Sequence, residues 1–175
     1  MTGVLLVGGA SRRFGSPKAL ARFRGELLAA RGHRVLAEVC DEVVVVGKAA
    51  DTLPLPFPVV DDGSETRAAI VGVAAGLRLA TADLCVVLPT DMPWVTPGLL
   101  RTLAEGAEGV AAAVPQTGPL PGAYHRSALP VLERRIAAGR LALRDAVAEL
   151  ETRVVECDET LLGNVNRPAD LEPAQ

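Results

Sequence analysis

The stretch Leu5–Leu20, LLVGGASRRFGSPKAL, runs from the end of a short apolar segment through Gly8 and Gly9 to Arg12, Arg13, Gly15 and Lys18. The segment Val4–Val7 is short and wholly apolar, the pattern of a buried strand. The glycines that follow permit positive φ and close approach of bare backbone to a ligand, so N–H groups can face a concavity and hold phosphate oxygens. Arg12, Arg13 and Lys18 supply the fixed charge that glycine backbone lacks. A strand, a backbone cradle and then cations predict a polyphosphate site; a glycine turn fringed by solvated charges is the competing reading. Two well-known phosphate loops do not fit. A Walker A loop needs G-x-x-x-x-G-K-[ST], whereas five residues separate Gly9 from Gly15 and Ser16-Pro17-Lys18 follows. The dinucleotide fingerprint G-x-G-x-x-G is also absent.

Further apolar runs at Val43–Val46, Pro58–Val60, Leu84–Leu88, Val110–Val114 and Arg153–Val155 read as strands. Between them Ile70, Val73, Ala74 and Leu77 keep the spacing of one helix face, as do Leu143, Ala146, Val147 and Leu150. Leu129, Leu132 and Ile136 follow Ser127, a candidate N-cap, with Pro130 placed where a first helical turn tolerates it. Glu26–Val39 is predicted to be helical as well. Strands alternating with helices imply crossover connections. The expected fold is a three-layer α/β/α sandwich around a mainly parallel, Rossmann-like sheet, forming one domain over residues 1–175. In such sheets ligands collect outside the carboxyl ends of the strands, so the polar residues there are the functional candidates.

Composition narrows the classes. The chain has 175 residues, 49% of them hydrophobic, enough for one sizeable core. No apolar run reaches the roughly 18 residues a membrane span needs, and Met1-Thr2-Gly3 opens without a charged leader, so a cytoplasmic protein is expected. A formal net charge of -3 argues against a general nucleic-acid binder. Basic residues nonetheless crowd the start: Arg22, Arg24, Arg31 and Arg34 join Arg12, Arg13 and Lys18 before any acid but Glu26. That local excess suits a small anionic ligand, or else surface arginines with no ligand. Cys40, Cys85 and Cys157 are odd in number and widely spaced, which points to core residues rather than to disulfides or a metal site.

Two more segments carry candidates. Leu84–Leu88 runs into Pro89-Thr90-Asp91-Met92-Pro93-Trp94, placing a carboxylate past a buried strand between prolines that restrict the backbone. Asp91 can hold a cation there, Mg²⁺ fitting best because it takes one or two carboxylates plus phosphates and water; turn initiation is the alternative. Trp94 reads as packing rather than as a base-stacking platform. Gly163-Asn164-Val165-Asn166-Arg167-Pro168 comes near the end. If extended, it sends Asn164 and Asn166 to one side and Val165 to the other. Asn166 would also serve as an N-cap before Pro168.

The opening stretch resembles the L-A-G-G-x-S-x-R-M-G-x-x-K-x-L signature of the sugar-nucleotide-pyrophosphorylase-like nucleotidyltransferases, particularly the molybdenum cofactor guanylyltransferase group. Thr90-Asp91-Met92-Pro93 is similar to that family's C-D-x-P motif, and Asn164–Leu171 to its N-[VI]-N-T-P-E-D-L. The resemblance implies the nucleotide-diphospho-sugar transferase type of fold. It implies that Leu6, Val7, Gly8, Gly9, Arg13 and Lys18 hold a nucleoside triphosphate, GTP above others, that Asp91 binds Mg²⁺, and that Asn164 and Asn166 address the acceptor. An acidic residue after the third strand contacts the nucleotide in these enzymes. Alignment through Gly72 makes it Asp62 rather than Asp61, with turn formation at Gly63 and Ser64 as its competitor. Molybdopterin would be the acceptor and proteins of the molybdenum cofactor pathway the partners, with no nucleic acid or membrane. The sequence departs at Val7 for alanine, Phe14 for methionine, Val46 for a frequent polar residue, and Arg67–Gly72 for P-G-P-L-A-G. Arg67 is either a new anion contact or a solvated helix start.

The expected reaction is attack by the acceptor's terminal phosphate on the α-phosphorus of the triphosphate, pyrophosphate leaving in line. No Ser, His or Cys nucleophile is needed, so catalysis would rest on alignment and charge, with Arg13, Lys18 and Asp91 as its residues. Alternatives are cytidylyl transfer to the same cofactor, guanylyl transfer to another phosphorylated acceptor, and a non-catalytic nucleotide-binding module.

Overall fold

The computed structural model describes residues 1–8 and 17–171. Strand β1 (Thr2–Leu6) is buried throughout because both of its faces are covered. Val4 and Leu6 join one apolar cluster, and Leu5 joins the other together with Val7 just past the strand. Parallel neighbours flank it: β4 (Glu42–Gly47) and β6 (Leu84–Pro89), with Leu6 opposite Val46 on one side and Pro89 on the other. β5 (Val60–Asp61) pairs beyond β4. Past β6 lie β8 (Gly122–His125), β7 (Ala112–Pro115) and β9 (Thr152–Val155), giving the order β5-β4-β1-β6-β8-β7-β9. Within this sheet, among the described residues, only β8 runs against both of its neighbours, β6 and β7.

Helices α1 (Leu28–Ala37) and α3 (Pro97–Gly106) cover one face, packing Leu36, Leu100 and Leu103 on Leu5, Val45, Val86 and Leu88. The opposite face carries α2 (Ala69–Leu79), α4 (Leu129–Ala137) and α5 (Leu143–Val147) around Val4, Val87 and Tyr124. The three-layer, mainly parallel α/β/α architecture expected from the alternation is the one observed. Burying each large aliphatic chain in these layers contributes about 1.5–3 kcal/mol.

Local departures have local causes. The helix expected from Glu26 starts at Leu28, because Glu26–Leu27 (β3) pairs with Arg22–Phe23 (β2) in a small hairpin. Its tip, Arg24-Gly25, takes φ of 51° and 84°, the double positive values a tight hairpin turn needs. α3 starts at Pro97 in its first turn, with Thr96 Oγ1 accepting from Leu99 N at 3.3 Å. Ser127 is not the cap of α4; it sits inside a 3-10 turn, Arg126–Ala128, and Ala128 occupies the N-cap position. The strand expected from Val110 begins at Ala112, since Val110 N still closes a turn onto Ala107 O. That expected at Pro58–Val60 is reduced to Val60–Asp61.

Cys40 and Cys85 are buried and Cys157 is half-buried, all three unpaired. Burial pushes the Cys40 thiol up to about 11 and that of Cys85 to about 12, as suits inert core residues. Among the described residues no helix is long and apolar enough to cross a membrane.

Candidate active site

Strands β5, β4, β1 and β6 run side by side in one direction, so the residues just past their carboxyl ends are carried to one rim. Those residues include Asp62, Lys48, Gly8 and Asp91. The chain leaves β1 towards β4 and comes back on the other flank of β1 at β6, which makes this the point where strand order reverses. Ladder-like bonds continue past the strands: Val7 N to Val46 O at 2.9 Å, Thr90 N to Leu6 O at 3.1 Å and Asp62 N to Gly47 O at 3.0 Å. The rim is therefore fixed by the same backbone pairing that builds the sheet.

A cavity of ≈ 520 Å³ opens at this rim. Leu6, Val7, Gly8 and Lys18 line it together with Thr90, Asp91 and the start of α2 at Arg67–Ala69. The segment Thr117–Leu120 and Asn164 enclose the rest. Gly9 and Arg13, with Arg12, Phe14 and Gly15, lie outside the described residues.

Lys18 opens a 3-10 turn, Lys18–Leu20, whose Ala19 is buried in the core. From there its Nζ donates to Asp91 Oδ2 at 3.2 Å and to Asn166 Oδ1 at 3.3 Å. Three motifs that are remote in sequence thus meet at one ammonium group. The backbone carbonyl of Asp91 accepts from Val165 N at 2.7 Å, which docks the Asn164–Asn166 segment. Val165 is fully buried, while Asn164 and Asn166 are exposed on the other side, in the expected period of two. The amides of Asn166 and Arg167 donate to Asp170 Oδ2 at 2.7 and 2.8 Å and hold that carboxyl below its ordinary range. Asp170 thus anchors the turn Pro168–Leu171, and the Asn166 side chain is directed to Lys18 instead of to a cap.

Asp61 and Asp62 divide their labour. Asp61 accepts from Ala49 N at 2.6 Å and Gly63 N at 2.8 Å, bonds that hold its carboxyl low and make it a turn residue. Asp62 is buried and lines a narrow cleft of ≈ 30 Å³, a cleft that shares Leu6, Gly8 and Arg67–Ala69 with the larger cavity. Its Oδ1 accepts from Lys48 Nζ at 2.7 Å and from Ser64 N at 3.0 Å. Asp62 thus makes the expected turn bond with Ser64 and, in addition, an ion pair with Lys48. Lys48, which is not among the candidates read from the sequence, is buried; a lone lysine past a strand carries no motif to mark it.

Arg67 Nη1 and Nη2 donate to the two oxygens of Asp51 at 3.0 and 2.6 Å, raising the guanidinium pKa and lowering that of the carboxyl. Arg67 so forms a forked ion pair on the cavity's edge. The other early arginines serve the hairpin and α1. Arg34 pairs with Glu26 and Glu38, Arg31 donates to Pro93 O, and Arg22 to Gly25 O. Arg22, Arg31 and Arg34 thus make structural bonds, whereas Lys18 of the same basic stretch lines the cavity. Trp94 packs edge-on against Phe23, with ring centroids 5.3 Å apart, as expected of a packing residue.

As a metal ligand Asp91 offers hard oxygen: Oδ2 faces the Lys18 ammonium, and Oδ1 has no hydrogen-bond donor among the described residues. No group of three or more His, Cys, Asp or Glu that could hold a metal occurs among those residues. A lone carboxylate beside a cavity of this size fits a Mg²⁺ ion that takes its other ligands from substrate phosphates and water, and does not fit an all-protein cage.

Residues 3–156 match the family described as the MobA-like NTP transferase domain. The chain is 34% identical over 182 residues to the molybdenum cofactor guanylyltransferase of Pseudomonas putida, covering 97% of this chain and 94% of that protein. The crystal structure of molybdopterin-guanine dinucleotide biosynthesis protein A from Archaeoglobus fulgidus superposes with a TM-score of 0.84 at 27% identity, over 98% of this chain and 95% of that one. The 2-C-methyl-D-erythritol 4-phosphate cytidylyltransferase of Thermus thermophilus, at 22% identity and TM-score 0.73, shares the fold over 97% of this chain and 94% of its own.

Proposed function

The chain belongs to the MobA-like NTP transferase family, and on that premise we propose that it transfers GMP from GTP to the terminal phosphate of molybdopterin, releasing pyrophosphate. One observation carries the assignment of residues: the Lys18 ammonium bonds both Asp91 and Asn166 at a cavity that Gly8 and Asn164 also line. Triphosphate-facing, metal-facing and acceptor-facing groups are then within reach of one another.

In this reading an acceptor phosphate oxygen forms a bond to the α-phosphorus of GTP. The bond from that phosphorus to the β-phosphate oxygen breaks, and pyrophosphate leaves with the electron pair. The acceptor phosphate is already anionic at neutral pH, so no side-chain nucleophile is consumed. The protein's work is alignment and charge. Leu6, Val7, Gly8 and Gly9 hold the nucleotide by backbone, Asp62 contacts it from the adjoining cleft, and Asn164 and Asn166 orient the acceptor. Lys18, with Arg13, counters the charge that develops on the leaving pyrophosphate. Asp91 would hold Mg²⁺, which when bound neutralises phosphate charge. Thr117–Leu120 line the same cavity as Asn164 and in this reading face the acceptor. The reading keeps the expected cytoplasmic location.

The test is a pyrophosphate-release assay with GTP, ATP, CTP and UTP, each with molybdopterin present or omitted. Release with GTP that requires molybdopterin is the expected result. Release with CTP would replace the base, and release that needs another phosphorylated acceptor would replace molybdopterin. No release with any triphosphate and acceptor would leave a non-catalytic nucleotide-binding protein.

A further inference from the structure

We infer that Lys48 is a positioning residue for the nucleotide, acting through Asp62; the inference rests on the reading of Asp62 as a nucleotide contact. Lys48 follows β4, and its side chain is buried at 9% exposure beside that of Asp62 at 7%. An ammonium group has three N–H donors. Lys48 Nζ has three acceptors, Asp62 Oδ1 at 2.7 Å, Ser64 O at 2.5 Å and Thr66 O at 2.7 Å. The group is saturated, so it offers no donor to a phosphate. What it does is fasten the loop from Asp62 to Thr66 to the end of β4.

The consequence falls on the carboxylate. Asp62 Oδ1 takes both the Lys48 ammonium and Ser64 N, at 2.7 and 3.0 Å, which uses the two lone pairs of that oxygen. Oδ2 has no hydrogen-bond donor among the described residues, and Asp62 lines the cleft that joins the main cavity. Asp62 is thereby presented as a one-oxygen acceptor. It can receive donors of the nucleotide on Oδ2 alone, so it cannot form the paired bond in which both oxygens of a carboxylate receive the adjacent N1–H and N2–H of guanine. The loop also leads directly to Arg67 and α2, so the Lys48 anchor sets the approach of the cavity's other side.

The experiment measures equilibrium binding of GTP to the full chain in the wild type, Lys48→Gln, Asp62→Asn and the double variant, with a thermal melt of each. Asp62→Asn is expected to weaken GTP about tenfold. Lys48→Gln should weaken it comparably, and the double variant should be no weaker than Asp62→Asn alone within about twofold, because both act through one carboxylate (a tenfold loss is about 1.4 kcal/mol). Lys48→Arg keeps the charge but cannot place three donors on the same acceptors, and it too should bind GTP less well. If Asp62→Asn binds GTP as the wild type does, the reading of Asp62 fails. If Asp62→Asn is weakened while folded Lys48→Gln and Lys48→Arg are not, or if the two losses multiply, Lys48 is a structural residue only and the inference is overturned. Should Lys48→Gln fail to fold, Lys48→Arg and the double variant, which removes both charges together, decide by the same comparison.

Discussion

Lys18 Nζ lies 3.2 Å from Asp91 Oδ2 although 73 positions separate the two residues in sequence. One opens the turn Lys18–Leu20 and the other lies just past β6, and the pair meets at the point where strand order reverses. If Lys18 steadies the departing pyrophosphate, Lys18→Ala should lower kcat by about 10²–10³ with a smaller change in KM for GTP. Asp91→Ala should abolish Mg²⁺-dependent turnover. Pyrophosphate release at saturating Mg²⁺ reads both, and unchanged rates in the two variants would remove these residues from the mechanism.

Tyr124 is fully buried in β8, and its hydroxyl donates to the carbonyl of Pro119. Arg144 also donates to Thr117 O, at 3.3 Å, so the wall Thr117–Leu120 is held from behind. Tyr124→Phe removes one of these supports, at a cost of about 1 kcal/mol. The KM for the acceptor should rise by about fivefold while that for GTP stays put. Steady-state kinetics with each substrate varied in turn separates the two, and a rise confined to GTP would relocate the acceptor.

Gly76 faces β1 from α2, where an added Cβ would lie 2.3 Å from Val4 Cγ1 and 2.9 Å from Val4 Cγ2. Val4 is wholly buried and cannot step aside. Alanine gains about 1 kcal/mol in helix propensity but overpacks a rigid contact, a cost of about 1–3 kcal/mol or more. The melting temperature of Gly76→Ala should therefore fall; an unchanged or higher value would show that α2 does not sit this close to the sheet.

The buried thiols make stability sensitive to alkali. Cys40 and Cys85 titrate at about 11 and about 12 in the fold, against 9.0 for an ordinary thiol. The folded chain thus keeps protons that the unfolded chain gives up above pH 9, so unfolding releases protons there and stability falls as pH rises. Below that pH these groups contribute no slope. Urea denaturation at about pH 8, 9 and 10 should show a loss beginning near 9, reduced in Cys85→Ala relative to its own value at the lowest pH.

The fold was legible where burial writes itself into a run of residues. Val4–Val7, Val43–Val46 and Leu84–Leu88 are apolar on both sides because helices cover both faces of the sheet, and these strands could be read directly. β8 escaped because Gly122-Ala123-Tyr124-His125 is short and not evenly apolar; its place depends on antiparallel pairing between β6 and β7, which no local pattern encodes. α3 could have been found from Thr96-Pro97 with Leu99, Leu100 and Leu103, a capping signal followed by helical spacing. In the site, Lys18, Asp91 and Asn166 each lay in a recognisable motif, and the structure supplies the distances between them. Lys48 lay in none, since its meaning comes wholly from three acceptors, the nearest of them 14 positions away.

The bond from Val165 N to Asp91 O ties a late segment of the chain to a site whose other parts are much earlier. On a ribosome the strands around β1 emerge well before Asn164 and Asn166. A chain stalled short of Asn164 would therefore leave the Asp91 carbonyl without the Val165 donor and the Lys18 ammonium without its Asn166 acceptor, however complete the sheet beneath them.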